Sequence, residues 1–265
     1  MLHRLKHFQK AFRTSFEFDN PWQIIFAHLF YPKGKILYVW KGRTILVDGK
    51  RRETAGGIRS VLASTEYTQF FHHLKAEQVR NVLDLGANVG SFTVLAERSF
   101  PALKRVVVVE GDSTIMPRLE FNVKDALPEA DVTILHRAVC DHDGEIEFIQ
   151  AETSVGSGIA SGADDGSGKR IVVKAISLAR LLECFPGSEK IDFCKMDIEG
   201  SEYAAIYALN PAELARIRFI VTELHGSDAD NERFIGYLGN QGFKHIPSDE
   251  FGNPSTHGFL KAADD

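Results

Sequence analysis

The apolar residues near the start of the chain follow a helical spacing. Leu2, Leu5, Phe8 and Phe12 recur at intervals of three and four, which predicts an amphipathic helix over residues 1–13 with basic side chains around it. Packing of such a helix against the chain's own core is the commoner arrangement. Peripheral contact with an anionic membrane, or with a partner protein, stays open as an alternative.

A strand pattern and a second helical pattern follow, and together these segments form an N-terminal extension over residues 1–75. Two β-patterned runs flank the turn at Lys41-Gly42-Arg43, which predicts a hairpin over residues 35–48. Residues 59–74 are predicted to be helical, because their apolar residues return at intervals of three and four. We expect the extension to cap the main domain or to lead into it.

Strand and helix patterns alternate from residue 76 onward. The predicted strands cover residues 81–85, 105–110, 131–139, 191–197, 218–224, 243–246 and 257–261. Predicted helices cover residues 91–99, a segment that ends near residue 126, and residues 228–240. This alternation predicts an α/β fold, with a mostly parallel Rossmann-like sheet covered by helices on both faces. We assign residues 76–265 to this domain.

The last two predicted strands are joined by a loop over residues 247–256. A parallel crossover needs a dozen or more residues and usually a helix, so these two strands should be antiparallel. The sequence therefore predicts seven strands, of which the last runs antiparallel to the others.

Composition and charge narrow the class of protein. Hydrophobic residues make up 44% of the 265 residues and charged residues 25%, which is typical of a folded globular protein. The net charge of −5 disfavours an extended phosphate-binding surface, so we do not expect a nucleic-acid partner.

The cysteines and the apolar runs bear on the cellular compartment. Cys140, Cys184 and Cys194 are odd in number and form no CxxC pair, so neither a disulfide framework nor a thiolate zinc site is indicated. The apolar run over residues 24–31 is too short to span a membrane, and the first residues show no secretory pattern. These features favour a cytoplasmic protein.

A glycine-containing loop follows the first predicted strand of the main domain. In Asp84-Leu85-Gly86-Ala87-Asn88-Val89-Gly90, the glycines allow a tight turn and close approach of a ligand to the backbone. A diphosphate-binding loop would need glycine where Asn88 stands, and the charge of Asp84 would repel phosphate. S-adenosylmethionine carries a carboxylate and an ammonium instead, so Asp84 is predicted to hold the ammonium while loop amides receive the carboxylate.

An acidic residue ends the second strand of this domain. Glu110 follows the loop glycines by about 20 residues, the separation at which a carboxylate meets ribose hydroxyls in nucleotide-binding folds. Glu110 by itself could be a solvated residue at a strand end. The loop before it favours a ribose contact.

Two further strand ends carry polar side chains. Lys195, Asp197, Glu199 and Glu202 lie at the end of the fourth strand of the domain, and His225 follows the fifth. Ligands of open α/β sheets bind at this carboxyl edge. Histidine titrates near neutral pH, so His225 is a candidate general base. Glu202 could instead serve only the following helix, at whose start Ser201 is a candidate N-cap.

A metal is a weaker alternative at the same edge. Asp197, Glu223 and His225 could together ligate a divalent cation. No ligand-spacing motif demands one, so no metal site is assigned.

These motifs together resemble the FkbM family of methyltransferases. The matching segments are Asp84-x-Gly-Ala-Asn-x-Gly, Lys195-x-Asp-Ile-Glu-Gly-x-Glu and Glu223-x-His, in this order. The resemblance implies an S-adenosylmethionine-dependent O-methyltransferase that acts on a hydroxyl of a sugar, a glycolipid or a secondary metabolite. It places the adenine contact at residues 137–139, centred on Ala138. The family commonly has Glu-Pro after its second strand, whereas this chain has Glu110-Gly111.

The resemblance also assigns roles to the candidate residues. Asp84, Gly86, Asn88 and Gly90 would seat the methionine part of the cofactor, with Glu110 at the ribose. The acceptor would be oriented and deprotonated by Lys195, Asp197, Glu199 and His225, with Asp197 also near the cofactor. The acceptor would be a small molecule or a glycan.

Some alternatives stay open at this point. Residues 153–169 are rich in Gly and Ser, which predicts either a plain flexible loop or a substrate lid. A nicotinamide-dependent oxidoreductase would share the fold, and a non-catalytic S-adenosylmethionine-binding protein would share the loop.

Overall fold

The first elements of the described chain are two short helices and a hairpin. The structure, a computed structural model, describes residues 12–153, 156–160, 168–250 and 252–262. The first elements are helical residues 12–15 (α1), helix α2 (Pro21–Phe30) and strands β1 (Lys35–Trp40) and β2 (Arg43–Asp48). The predicted hairpin is confirmed, with Ile36 opposite Val47. Most of the helix predicted over residues 1–13 lies outside the described residues.

A mostly parallel sheet of seven strands forms the centre of the molecule. Its strands are β3 (Asn81–Leu85), β4 (Arg105–Glu110), β5 (Asp131–His136), β10 (Phe193–Met196), β11 (Phe219–Glu223), β12 (Phe243–Pro247) and β13 (Thr256–Lys261). Their order across the sheet is β12-β13-β11-β10-β3-β4-β5. Strand β13 runs antiparallel to both of its neighbours, and the other pairs are parallel. The predicted α/β class and the antiparallel last strand are both confirmed.

Helices cover both faces of this sheet. They are α5 (Ser91–Ser99), α6 (Met116–Ala126), α7 (Leu178–Leu182), α8 (Glu202–Tyr207), α9 (Pro211–Leu214) and α10 (Asp228–Asn240). In β4, Val106 and Val108 pack into one apolar core, and Val107 and Val109 pack into the other. Because both faces of the strand are buried, its valines run on without interruption. Within the described ranges, no helix is long and apolar enough to cross a membrane.

The segment predicted as one helix over residues 59–74 is broken, and that expectation was wrong. It contains the end of a π-helical turn (Thr54–Arg59) and two short helices, α3 (Ser60–Leu62) and α4 (Thr68–Phe71). The Ser64 hydroxyl donates to the Ser60 carbonyl oxygen, and the Ser64 oxygen accepts from the Glu66 N–H. Such local side-chain bonds compete with helical backbone bonds and interrupt the helix here. A 3₁₀ turn (Ala76–Gln78) leads into β3.

The strand predicted over residues 131–139 belongs to two different sheets. Strand β5 ends at His136, and the Arg137 N–H donates to the Glu110 carbonyl oxygen at 3.0 Å. The chain then leaves the main sheet, and strand β6 (Ala138–Cys140) joins β7 (Gly144–Ala151), β8 (Gly158–Ile159) and β9 (Gly168–Ser177) in the order β6-β9-β7-β8. Part of the Gly/Ser-rich stretch thus forms a short strand, which the sequence did not predict.

The N-terminal hairpin packs on the main domain through buried polar contacts. The guanidinium of Arg118 in α6 contacts the carboxylate of Glu53, with 2.8 Å between Nε and Oε2. The Glu53 side chain has no exposed surface. The Asn122 side chain accepts from the Leu46 N–H and donates to the Leu46 carbonyl oxygen. These contacts fix the extension against the helix that follows β4.

The direction of strand order reverses between β3 and β10. From β3 the chain adds β4 and β5 on one side, whereas β10 and β11 lie on the other side. At such a switch point the loops beyond the two central strands diverge and leave a crevice at the carboxyl edge. The loop after Leu85 and the loop after Met196 border this crevice.

Candidate functional site

The loop after β3 approaches the end of β10 so closely that only glycine fits at position 86. Gly86 has a φ of +69°, in the left-handed region. A Cβ atom added there would lie 1.7 Å from the Asp197 carbonyl oxygen. The Asn88 backbone is also left-handed, with a φ of 51°, a conformation that asparagine tolerates better than most residues. The loop therefore presents bare backbone to the crevice.

Glu110 ties the end of β4 to this loop. Its Oε2 accepts from the Asn88 N–H at 2.8 Å, and its Oε1 accepts from the Asp112 N–H at 2.7 Å. Burial raises the pKa of Glu110 to about 7, although both backbone bonds oppose this shift. Each carboxylate oxygen keeps a second lone pair, so the side chain can still accept bonds from a ligand.

Two polar atoms beneath the loop have no hydrogen-bond partner among the described residues. They are Oδ1 of Asp84 and Oγ of Ser91, and both residues are almost completely buried. Oδ1 of Asp84 lies 3.8 Å from Nζ of Lys195, an ion pair without a hydrogen bond, and the other oxygen accepts from the Thr93 hydroxyl at 2.6 Å. Buried polar groups are nearly always hydrogen-bonded in native proteins. Unpaired atoms at this position are therefore expected where a ligand supplies the partner.

Lys195 binds the loop to β10 through its ammonium group. Nζ donates to the Gly86 carbonyl oxygen at 2.6 Å and to the Leu85 carbonyl oxygen at 3.2 Å. Burial alone would lower the pKa of Lys195, but the carboxylates of Asp197 and Asp84 raise it above its usual value. Lys195 is thus a fixed cation and not a proton acceptor.

Acidic side chains surround His225 at the same edge. Its Nε2 lies 3.9 Å from Oδ1 of Asp197 and 3.7 Å from Oε2 of Glu199. Its Nδ1 lies 2.9 Å from Oε1 of Glu202, which has no exposed surface. Burial alone would lower the pKa of His225, but the Glu202 hydrogen bond and the neighbouring carboxylates raise it to about 9. At neutral pH His225 is therefore an imidazolium.

The side chains of Glu202 and Ser201 bond to backbone groups outside helix α8, and neither caps the helix. Glu202 accepts from the N–H groups of Ile198 and Gly200. Ser201 occupies the predicted N-cap position of α8, but its hydroxyl donates to the Val139 carbonyl oxygen at 2.8 Å and makes no capping bond. Both side chains hold the turn after β10 against its neighbours.

The four-stranded sheet supplies the opposite wall of the crevice. Arg137, Ala138 and Val139 line it at the start of β6, and Phe148 lines it from β7. The Gly156 N–H donates to Oε1 of Glu199 at 2.9 Å. Part of the Gly/Ser-rich stretch thus contacts the end of β10, in agreement with its predicted position near the pocket.

The crevice is a cavity of about 370 Å³. Most of the site residues predicted from the sequence line it, namely Gly86, Asn88, Glu110, Ala138, Lys195, Asp197, Glu199 and His225. Asp84 and Gly90 do not line it, and Asp84 lies below the loop. Gly90 has a φ of +84° and faces Leu119 and Val123 of α6, where it lets the helix after the loop pack closely.

Sequence reasoning missed the wall residues that come from the N-terminal extension, namely Gly57, Ser60, Val61, Glu66 and Tyr67. Glu66 and Tyr67 line the cavity, although they precede the main domain. Burial, together with the charges of Glu223 and Asp197, raises the pKa of Glu66 to about 7. The apolar spacing of this segment predicted a helix and said nothing of a ligand, and the contact with the cavity depends on packing between distant segments. Only the tertiary structure therefore places these residues here.

Among the residues that the structure describes, two groups of side chains could hold a metal ion by geometry alone. Asp197, Glu223 and His225 each place one ligand atom within 4.8 Å of the others. The neighbours Cys140, Asp141 and His142 do the same away from this edge. In the first group, Glu223 already accepts from the Asn253 side chain at 2.8 Å.

The sequence matches a known family of methyltransferases. A family profile described as "Methyltransferase FkbM domain" matches residues 84–245. The AMB antimetabolite synthetase AmbE of Pseudomonas aeruginosa is 28% identical over 178 residues, which cover 54% of this chain and 8% of that protein.

Similarity to a solved structure supports the fold. A crystal structure of Methyltransferase FkbM from Methylobacillus flagellatus KT matches with a TM-score of 0.53 and 14% identity. The match covers 95% of this chain and 58% of that chain. The chain therefore spans less than two thirds of the length of either protein.

Proposed function

The chain belongs to the FkbM methyltransferase family, and from this we propose that it methylates a hydroxyl oxygen with S-adenosylmethionine as donor. The acceptor would be a sugar, a glycolipid or a secondary metabolite. One observation carries the proposal: an acidic cavity at the strand switch point has unpaired polar atoms beneath its glycine loop. The similarity to part of an antimetabolite synthetase adds support for a metabolite acceptor.

The residues of the cavity fit S-adenosylmethionine better than a dinucleotide. When bound, this cofactor supplies an electrophilic methyl group on a positively charged sulfur. Acidic side chains in the cavity wall outnumber basic ones, and carboxylates attract a cation and repel a diphosphate. The acids are Glu66, Glu110, Asp197, Glu199 and Glu223, and the basic residues are Arg137, Lys195 and His225. This charge pattern disfavours the alternative of a nicotinamide-dependent oxidoreductase.

Each part of the donor has residues suited to hold it. The bare backbone at Gly86 and the unpaired hydroxyl of Ser91 suit the carboxylate of the methionine part. The Asp84 oxygen that lacks a hydrogen bond suits the ammonium, reached through a water, because Asp84 is buried below the loop. We assign the ribose hydroxyls to Glu110 and the adenine to the wall at Ala138.

The side chains at the ends of β10 and β11 would hold the acceptor. Asp197 and Glu199 accept hydrogen bonds from its hydroxyl groups, and Lys195 keeps the loop and β10 in register. Deprotonated His225 takes the proton of the reacting hydroxyl as the new carbon–oxygen bond forms and the carbon–sulfur bond breaks. Most of the rate enhancement would come from holding the two reactants in line.

A nucleic-acid acceptor is disfavoured by the same charges. The chain has a net charge of −5, and the cavity wall is acidic, so phosphates near the acceptor would be repelled. A small neutral or cationic acceptor fits this field better.

The proposal is tested first by binding and then by turnover. Calorimetry should show S-adenosylhomocysteine binding and no comparable binding of NAD. Incubation with methyl-labelled S-adenosylmethionine and a panel of sugars, glycolipids and metabolite extracts should then place the label on a hydroxyl oxygen. Preferential binding of NAD would refute the cofactor assignment. Label found on nitrogen or on nucleic acid would refute the acceptor class, and donor binding without turnover on any acceptor would leave a binding protein.

A further inference from the structure

Large apolar side chains are exposed in unusual number near the start of the described chain. Eight of them lie between residues 12 and 37, and only three more occur in the remaining described ranges. We call these eight the aromatic patch: Phe12, Phe16, Trp22, Phe26, Leu29, Phe30, Tyr31 and Leu37. Single exposed apolar residues are ordinary, but a contiguous group marks an interaction surface.

Rings of the aromatic patch contact one another in two groups, one around Phe16 and one around Phe26. The ring centres of Phe12 and Phe16 are 5.3 Å apart, and those of Phe16 and Trp22 are 5.6 Å apart. Phe26 lies one helical turn beyond Trp22 and contacts Phe30, with their ring centres 4.5 Å apart. Trp22 and Phe30 are 68% and 63% exposed, so these rings pack against each other and still face solvent.

The patch is not the face that α2 uses for its own packing. That face carries Ile24, which is 1% exposed, and His28, whose Nε2 lies 2.9 Å from the Tyr38 hydroxyl. Helix α2 therefore has a second, outward apolar face, and its sequence contains no Asp, Glu, Lys or Arg. A surface helix that needed only to pack on the core would carry charge there.

Basic residues border the patch. Exposed Arg13 follows Phe12, and exposed Lys33 and Lys35 follow Tyr31. In β1, Lys35 and Leu37 point to the same exposed face. Residues 1–35 contain six Lys or Arg and two Asp or Glu, whereas the whole chain has a net charge of −5. This range therefore has a formal net charge of +4, although the exposed acidic residues Glu17 and Asp19 also lie in it.

We propose that the aromatic patch binds the surface of an anionic lipid bilayer. The rings would enter the headgroup boundary while Arg13, Lys33 and Lys35 meet lipid phosphates. Tryptophan and tyrosine favour this boundary because their rings are apolar and their N–H or O–H groups stay hydrated. A second copy of the chain fits less well, since symmetric pairing of this face would bring the two basic borders together.

The two tryptophans provide a direct measurement. Trp22 is 68% exposed and Trp40 is 5% exposed, so a change in fluorescence on binding reports on Trp22. The full chain is mixed with vesicles of phosphatidylglycerol and phosphatidylcholine, and with vesicles of phosphatidylcholine alone. We expect sedimentation with the anionic vesicles, a blue shift of the emission, and quenching by brominated lipid. Trp22→Phe should sediment equally well and lose the blue shift.

Substitutions in and around the patch separate the apolar contribution to membrane binding from the electrostatic one. Phe26→Ala combined with Phe30→Ala should lower the vesicle partition coefficient by roughly tenfold or more. Lys33→Glu combined with Lys35→Glu should lower it by at least about fivefold for each residue, and the loss should shrink as salt is added. Matched controls are Phe121→Ala, at an exposed phenylalanine of α6, and Lys104→Glu, at an exposed lysine beyond the patch. Both controls should bind like the parent chain.

Several results would overturn the proposal. One is a chain that stays in the supernatant with anionic vesicles, and another is equal loss of binding in the control variants. A third is a dimer that forms with increasing protein concentration in sedimentation experiments and is lost in Phe26→Ala. In that dimer Trp22 would be shielded from solvent without any lipid. A fourth is a monomer in which acrylamide cannot quench Trp22, since another part of the chain would then cover the patch. Thermal unfolding of each variant, measured in parallel, shows whether it is folded.

Discussion

The Nδ1 atom of His225 lies 2.9 Å from Oε1 of Glu202, a carboxylate with no exposed surface. Glu202 is itself held by the N–H groups of Ile198 and Gly200, so its position is fixed by the turn after β10. This relationship orients the imidazole and leaves Nε2 toward Asp197 and Glu199. It also stabilises the charged form of the imidazole, which sets the pH at which His225 can accept a proton.

The first prediction concerns the pH dependence of turnover. If neutral His225 is the base, kcat should rise with pH and level off above about 9, because the pKa of His225 is raised to about 9. In Glu202→Gln the neutral amide no longer stabilises the imidazolium, so this limb should move toward pH 6.5, the ordinary value for histidine. His225→Gln should remove the limb. An unchanged limb in Glu202→Gln would exclude His225 as the group that titrates.

Cofactor affinity should depend on the ionisation of Glu110. Its pKa is raised to about 7 by burial, and an ionised carboxylate is the better acceptor for ribose hydroxyls. The affinity for S-adenosylhomocysteine should therefore fall as pH decreases from 8 to 6. Glu110→Ala should weaken binding by roughly tenfold to a hundredfold, and Glu110→Gln should make it nearly independent of pH. Calorimetry across this range measures both effects, with the exposed Glu183→Gln as control.

His225→Ala tests whether His225 acts in catalysis while Glu110 acts in cofactor binding. It should lower turnover while the affinity for S-adenosylhomocysteine changes by less than about twofold, because the affinity is assigned to the loop and to Glu110. A loss of affinity as large as that of Glu110→Ala would show that His225 contacts the cofactor instead.

The loop glycine should not tolerate a methyl group. Gly86→Ala places a Cβ where the Asp197 carbonyl oxygen lies 1.7 Å away, and the residue must keep a φ of +69°. We expect a clear loss of thermal stability and loss of S-adenosylhomocysteine binding. Gly239→Ala is the matched control, because this helical position has open space around it. It should raise the stability by about 0.5–1 kcal/mol. Normal cofactor binding by Gly86→Ala would contradict the described loop.

The buried contact between Glu53 and Arg118 should stabilise the packing of the hairpin. Removing one charge leaves the other buried without its partner, at a cost of about 3–5 kcal/mol. Glu53→Gln should therefore unfold at markedly lower urea concentration. The exposed pair Arg180 and Glu183 offers a comparison, and Glu183→Gln should change stability by less than about 1 kcal/mol. Similar losses in the two variants would mean that burial of the pair is unimportant.

Metal removal should have little effect. Glu223 of the candidate group already accepts from the Asn253 side chain at 2.8 Å, and a cation at His225 would have to displace the proton that its raised pKa favours. Incubation with EDTA should leave turnover within about twofold of its starting value. EDTA could instead lower turnover in the parent chain, with Mg²⁺ or Mn²⁺ restoring it. If EDTA then had no effect on the remaining turnover of Asp197→Asn, a metal at the group formed by Asp197, Glu223 and His225 would be established.

Much of the main sheet followed from local patterns. The strand at residues 105–110 was recognisable because its valines are buried on both faces, and helix α5 (Ser91–Ser99) has the predicted bounds. The helix predicted over residues 59–74 failed because serine side chains compete with its backbone bonds. The strand predicted over residues 131–139 is divided at Arg137, because pairing with β9 draws Ala138 into another sheet.

The sequence by itself determined the α/β sheet, the glycine loop and the acidic strand ends, because these depend on residue spacing along one segment. Only the tertiary structure decided which side chains meet. It brought Glu66 to the cavity from outside the main domain, placed Asp84 beneath the loop, and set Glu202 against His225. The pKa of His225 depends on burial and on charges from three separate positions, and such distances are set by packing between segments.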